Sequence, residues 1–265
     1  FGMNMMAVRY GDDILVIDAG LMFPRDDLLG VDLVVPEFTY LLENRDKVRG
    51  VLVTHGHEDH IGALAYLLKD LPVPVYGTAL TLGFAKGRLA ENGVLDQAAL
   101  HCVEGRQVLE FGGIRAEVLS MTHSIADSIG LAVTTPAGTI IHTGDFKIDF
   151  SPVDGDVTDI FRFADYGEKG VLLLMSDSTN AEREGFTKSE SVLIDKLTEI
   201  FSSANGRIIV ATFASNIHRI QQVMDTCAKY GRSLAVIGRS MVKNVNIAQN
   251  LGYLNVPEGL LIKPH

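Results

Sequence analysis

The sequence predicts an α/β fold in two parts, layered sheets first and then a Rossmann-like alternation of strand and helix. Three observations carry this. Short apolar or alternating runs bounded by Gly, Asp and Pro fill the first half at strand length. After residue 189, helix-length amphipathic stretches alternate with strand-length apolar runs. Between the two regimes, residues 177–189 are polar, which places a domain boundary there.

Taken in order, residues 5–10 and 14–18 flank Gly11-Asp12-Asp13 and read as a hairpin. Residues 51–54 form the next expected strand, and a helix over 61–69 opens beside a histidine cluster. A short strand at 73–76 and a helix over 80–92 follow. Strands at 114–121, 128–134 and 139–142 come next, the last two turning at Pro136-Ala137-Gly138. An apolar strand at 171–175 closes the first part. The second part alternates helix 190–202, strand 207–211, helix 217–230, strand 233–237 and helix 240–251, which predicts parallel pairing.

With 265 residues the chain can bury a substantial core, as one large domain or as one domain plus part of another. An apolar content of 47% against 21% charged residues excludes a disordered chain. No apolar stretch approaches the ~20 residues needed to cross a bilayer, so no membrane partner is expected. No signal-like segment opens the chain, although Phe1 implies that the native start lies upstream. Cys102 and Cys227 lie in apolar sequence and are expected to be reduced and buried, which predicts a cytoplasmic protein. The net charge of −10 argues at first against nucleic acid. Residues 203–265, however, carry seven basic side chains against two acidic ones, a net +5 that leaves −15 for the rest. An acidic part that collects metal ions joined to a basic part suits a metal-dependent nuclease, and equally describes ordinary surface charge.

The segment Thr54-His55-Gly56-His57-Glu58-Asp59-His60 follows the apolar run Val51-Leu52-Val53. In extended backbone His55 and His57 point the same way and can chelate one metal, while Asp59 and His60 can reach a second beside it. Imidazole with added carboxylate suits a catalytic metal site. Asp18, His123 and Asp145 each follow an apolar strand. Singly, they read as turn or loop residues; together with the cluster they meet the requirements of a binuclear site.

These motifs resemble the metallo-beta-lactamase superfamily, with its early Asp, H-x-H-x-D-H, later His and later Asp. Asp18-Ala19-Gly20-Leu21-Met22-Phe23-Pro24, His123-Ser124-Ile125-Ala126-Asp127-Ser128 and Gly144-Asp145-Phe146-Lys147 are similar to the bacterial ribonuclease J family of the beta-CASP group. So are Ser176-Asp177-Ser178-Thr179-Asn180 and Thr212-Phe213-Ala214-Ser215-Asn216-Ile217-His218-Arg219. The resemblance implies an αββα sandwich over residues 1–186 without its C-terminal return segment, and part of an inserted Rossmann-like beta-CASP domain over 187–265. It also implies a truncated chain, because the family's final histidine motifs follow the insert; His265 is not expected to ligate.

By the same resemblance His55, His57 and His123 hold one metal, and Asp59, His60 and Asp145 the other, with Asp145 bridging. Two zinc ions are implied, with Mn2+ or Mg2+ as alternatives. Asp18 orients the loop and its histidines from behind, and Asp177 positions a family histidine or caps its own turn. Glu58 is expected to face solvent and His142 to support a strand end. The implied activity is hydrolysis of RNA phosphodiesters, both endonucleolytic and 5′-to-3′ exonucleolytic, in a cytoplasmic homo-oligomer (dimer or tetramer). Ser215, Asn216 and His218 at a helix N-terminus would hold an RNA phosphate, and Phe38 would stack on a base. The plainer alternatives are a Ser215 N-cap, a solvated His218 and a core Phe38. A thioester or lactam hydrolase and a non-catalytic RNA-binding subunit are the competing functions.

Overall fold

The computed structural model describes residues 2–263. β1 (Met6–Tyr10) and β2 (Asp13–Ile17) pair antiparallel around Gly11, whose φ of 59° suits a tight turn. A short helix α1 (Thr39–Glu43) precedes β3 (Val48–Leu52), which lies parallel to β2. The expected helix after β3 is two helices, α2 (Glu58–Ile61) and α3 (Leu64–Asp70). β4 (Val75–Gly77), α4 (Ala79–Glu91) and β5 (Leu100–Cys102) complete a five-stranded sheet in the order β1-β2-β3-β4-β5. Residues 14–17 of β2 are all fully buried, as expected for a strand covered on both faces.

β6 (Val108–Phe111), β7 (Ile114–Met121), β8 (Ser128–Thr135) and β9 (Gly138–His142) form an antiparallel run. Helix α5 (Ile160–Lys169) then crosses over to β10 (Leu173–Met175), which pairs parallel with β9. Alternation along the strands sorts the two faces. Ile114, Ala116, Val118, Ile129, Leu131 and Val133 pack inward against Leu15, Ile17 and Leu52 of the first sheet. On the outer face Leu119, Ala132 and Ile141 meet Tyr166 and Phe163 of α5. Buried Glu117 shares that face and accepts from Arg162 Nε at 2.6 Å, Arg162 Nη2 at 2.9 Å and Tyr166 OH at 2.6 Å. The Arg162 hydrogen bond holds this carboxyl below its ordinary value, so the buried charge is paired. With α4 packed on β4 and β5, the layers run αββα.

The chain divides into two compact units. One gathers the residues up to Met121 with Asp127–Phe146 and Asp159–Thr179; the other holds Thr122–Ala126, Lys147–Thr158 and the chain from Asn180 onward. The second unit contains α6 (Val192–Ser203), α7 (Ile217–Lys229) and α8 (Arg239–Asn250), with α6 against α7. The strands expected at 207–211 and 233–237 do not form. Among the described residues only a parallel bridge between Leu234 and Leu261 marks them, with Leu234 N–H donating to Leu260 O at 2.9 Å. A ladder requires a neighbour to take its N–H and C=O groups. Here Ile209 and Val210 of the first run stay exposed, Ile209 at 87%, and Ile208 is half-buried.

Cys227 is buried as expected, but Cys102 is exposed, because β5 is an edge strand; both thiols are free. His265 lies outside the described residues. Among those described, no helix is long and apolar enough to cross a membrane.

Candidate metal centre

β2 and β3 are parallel neighbours, so their C-terminal ends deliver Asp18 and Thr54-His55 to the same edge of the sheet. Asp18 takes a positive φ of 60° and is almost fully buried. Its carboxylate accepts from Thr54 N–H at 2.7 Å, from Thr54 Oγ1 at 2.9 Å and from His60 Nδ1 at 2.8 Å. The proton of His60 is thereby fixed on Nδ1, and Nε2 turns to Asp145 Oδ1 at 3.4 Å and Asp59 Oδ2 at 3.7 Å. Burial disfavours the charged ring, but Asp18 and Asp145 outweigh it and push His60 up to about 10.

His55 is fully buried, with Thr54 Oγ1 3.1 Å from its Nδ1. Its Nε2 lies 3.0 Å from His57 Nδ1 and 3.9 Å from Asp145 Oδ2. Burial lowers the pKa of His57, which keeps a nitrogen lone pair available. Asp145 thus turns Oδ2 toward His55 and Oδ1 toward His60. Ligand atoms of His55, His57 and Asp145 lie within 4.8 Å of one another, as do those of Asp59, His60 and Asp145; His123 falls in the second unit. Nitrogen ligands on a tetrahedral ion with bonds of about 2.0–2.1 Å stand roughly 3.4 Å apart. The separations of 3.0 to 3.9 Å bracket that value, and the imidazole and carboxylate donors suit divalent transition metals.

Backbone contacts hold the ligand loop in place. Ala19 N–H donates to His60 O at 2.8 Å, Leu21 N–H to Glu58 O at 3.0 Å and Asn4 N–H to Asp59 O at 3.0 Å. Gly20 makes this approach possible: a Cβ there would stand 1.6 Å from Asp59 O. Gly144, at φ 60°, turns the chain after β9 toward Asp145, and its N–H donates to His142 Nδ1 at 3.0 Å. His142 therefore supports the strand end, and burial lowers its pKa. Glu58 lies outside both ligand groups and, partly exposed, pairs with Arg88.

Asp177 stands outside both ligand groups. It accepts from Thr179 N–H at 2.8 Å, a turn cap, and from Phe146 N–H at 3.5 Å, beside Asp145. In the second unit the side chain of Asn216, not Ser215, caps α7, accepting from Arg219 N–H at 3.0 Å. An Asn fills the cap because Ser215 stands one residue outside the first turn. His218 is not solvated: its Nε2 lies 2.8 Å from Asp154 Oδ2. Phe38, half-buried, begins α1, its carbonyl accepting from Leu41 and Leu42. Reasoning from the sequence missed Asn4, Thr54 and the role of Gly20. Gly20 entered the sequence reading only as part of the motif from Asp18 to Pro24.

The family model for the metallo-beta-lactamase superfamily matches residues 2–184, and that for the ribonuclease J beta-CASP domain matches 205–265. Ribonuclease J of Helicobacter pylori strain J99 is 49% identical over 257 residues, covering 97% of this chain and 37% of the relative. Ribonuclease J of Synechocystis is 47% identical over 263 residues, covering 98% and 41%. The chain thus spans less than half the length of these relatives. A crystal structure of an Enterococcus faecalis protein of unknown function has a TM-score of 0.67 at 18% identity, covering 99% of this chain and 70% of that one, a likeness of fold alone. The chain belongs to the metallo-beta-lactamase superfamily, and its residues 205–265 match the model of the ribonuclease J beta-CASP domain.

Proposed function

We propose that this chain is the metal-binding part of a ribonuclease that hydrolyses RNA phosphodiester bonds, both internally and from the 5′ end. The observation that carries the reading is the pair of ligand groups sharing Asp145, in a chain that also matches the ribonuclease J beta-CASP segment. His55, His57, His123 and Asp145 would hold one ion, and Asp59, His60 and Asp145 the other, zinc in the first instance and Mn2+ or Mg2+ otherwise. Bound there, divalent ions would supply Lewis-acid activation of water and charge neutralisation at the phosphodiester. The chain's own part is to prepare the ligands. Asp18 fixes the tautomer and ring plane of His60. Burial keeps His57 a neutral donor. Asp145 offers one oxygen to each group, and Asp177 steadies the loop behind it through Phe146 N–H.

The same reading assigns RNA contacts to Ser215, Asn216, His218 and Phe38, and a cytoplasmic role in rRNA processing and mRNA decay as a homo-oligomer. It places the domain boundary at 186/187, within the gap between the two matched segments. The test is cleavage of 5′-monophosphorylated and 5′-hydroxyl RNA by the chain, alone and fused to the C-terminal part of a ribonuclease J relative. Metal-dependent cleavage that Asp145→Asn abolishes is the expected result. Metal uptake without RNA cleavage in either form, together with turnover of a thioester or lactam, would reverse it.

A further inference from the structure

We infer that Asn4 is a positioning residue for the Asp59/His60/Asp145 ligand group, holding Asp59 and His60 in register for a divalent cation. The inference rests on the binuclear reading above. Asn4 is fixed on both sides of its own backbone: its N–H donates to Asp59 O at 3.0 Å, and its carbonyl accepts from Gly20 N–H at 3.0 Å. From that anchored position its amide nitrogen reaches Asp59 Oδ2 at 3.3 Å and His60 Nε2 at 3.1 Å. Asp59 and His60 are the two residues that this group offers beside Asp145.

An amide NH2 carries two hydrogens, one for each atom. Because Asp18 takes Nδ1 of His60, Nε2 is the atom left for a cation. Nε2 has one lone pair, which Asn4 takes while the ring is neutral and yields to a cation, whereas its hydrogen bond to Asp59 Oδ2 persists. Asn4 thus pre-sets the ring's rotation and holds the Asp59 rotamer. Nothing comparable links it to His55 or His57 in the contacts of Asn4, so its effect is confined to one of the two positions.

The test uses Asn4→Leu, which keeps the volume without polar atoms, and Asn4→Ala. Co2+ is titrated into the metal-free full chain, with occupancy followed by absorption bands and competition with a chelator, alongside thermal melting of the metal-free proteins. Wild type is expected to take up two ions. Both variants are expected to bind the ion at Asp59, His60 and Asp145, the weaker one because that group offers three residues against four, about tenfold to hundredfold less tightly. The tighter ion's affinity and spectrum, and the metal-free melting temperature, should stay as in wild type. Unchanged binding of the weaker ion in Asn4→Leu overturns the inference, as does an effect confined to Asn4→Ala. Equal loss at both positions, or a metal-free chain that no longer folds, makes Asn4 a structural residue and overturns it too. Wild type binding fewer than two ions sinks the binuclear reading itself; two ions with an unaffected variant sinks the inference alone.

Discussion

Replacing Asp18 by Asn should damage the metal-free protein and flatten the pH dependence of its stability. The side chain is almost fully buried and its carboxylate accepts from three donors, two on Thr54 and one on His60. An amide of the same size keeps one acceptor oxygen and turns an NH2 toward a group that is itself a donor. Removing one partner of a buried charge pair costs about 3–5 kcal/mol, which sets the expected loss for the variant. His60 adds a pH signature. Its pKa is pushed up to about 10 in the folded chain, with Asp18 among the causes. A raised value means the stabilisation is fully present below about pH 6.5, the ordinary histidine value, and is lost as pH rises toward 10. The shift from 6.5 to about 10 corresponds to a ceiling of roughly 5 kcal/mol. Urea unfolding followed by circular dichroism, with chelator present from about pH 6.5 to 10, measures both effects. Wild type should lose stability across that window, and Asp18→Asn should start lower and change less. Because a divalent ion competes with the His60 proton, metal affinity in wild type should rise over the same range. A variant that loses under about 1 kcal/mol and keeps the wild-type slope would refute the assignment of Asp18 as the anchor of His60.

Gly20→Ala should cost roughly 3 kcal/mol or more, because its Cβ would stand 1.6 Å from Asp59 O and the facing backbone must move. Thermal melting should show the loss, and elemental analysis should show reduced metal content; a normal melt would mean that the approach of the two segments is looser than described. In the second unit, Asn216→Ala should cost about 1 kcal/mol through loss of the α7 cap, whereas Ser215→Ala should stay within about 0.5 kcal/mol. Chemical denaturation of both variants separates them, and a reversed order would return the cap to Ser215.

Much of the first unit was legible because its signals are local. Alternation along 114–121 and 128–134 assigned two strands whose inward residues form the sandwich core. The histidine cluster was legible because imidazole and carboxylate rarely crowd so closely without a ligand. Other elements carried weaker signals. β5 is three residues long and lies at a sheet edge, and β6 is four residues with two exposed positions, so neither shows a clear period. Residues 207–211 had the composition of a strand, but composition supplies no partner, and the run has none alongside it among the described residues.

The contacts that organise the metal centre were hidden for a different reason: they depend on topology. Asp18 and Thr54 are 36 residues apart and meet only because β2 and β3 run parallel as neighbours. Asn4 and His60 are 56 residues apart and meet only because the segment after β2 passes under the ligand loop. That passage is possible only where a residue lacks a Cβ, which is why Gly20 is as much a condition of the site as any ligand. A sequence can announce ligands by their chemistry, because few other roles gather His and Asp so tightly. It cannot announce the residues that aim them, because Asn, Thr and Gly serve everywhere in a chain. The aiming residues become visible once strand order is known, and they are where substitutions should separate metal affinity from fold stability most sharply: Asp18 couples the two, Gly20 governs both through the backbone, and Asn4 touches the ligand atoms alone with its side chain.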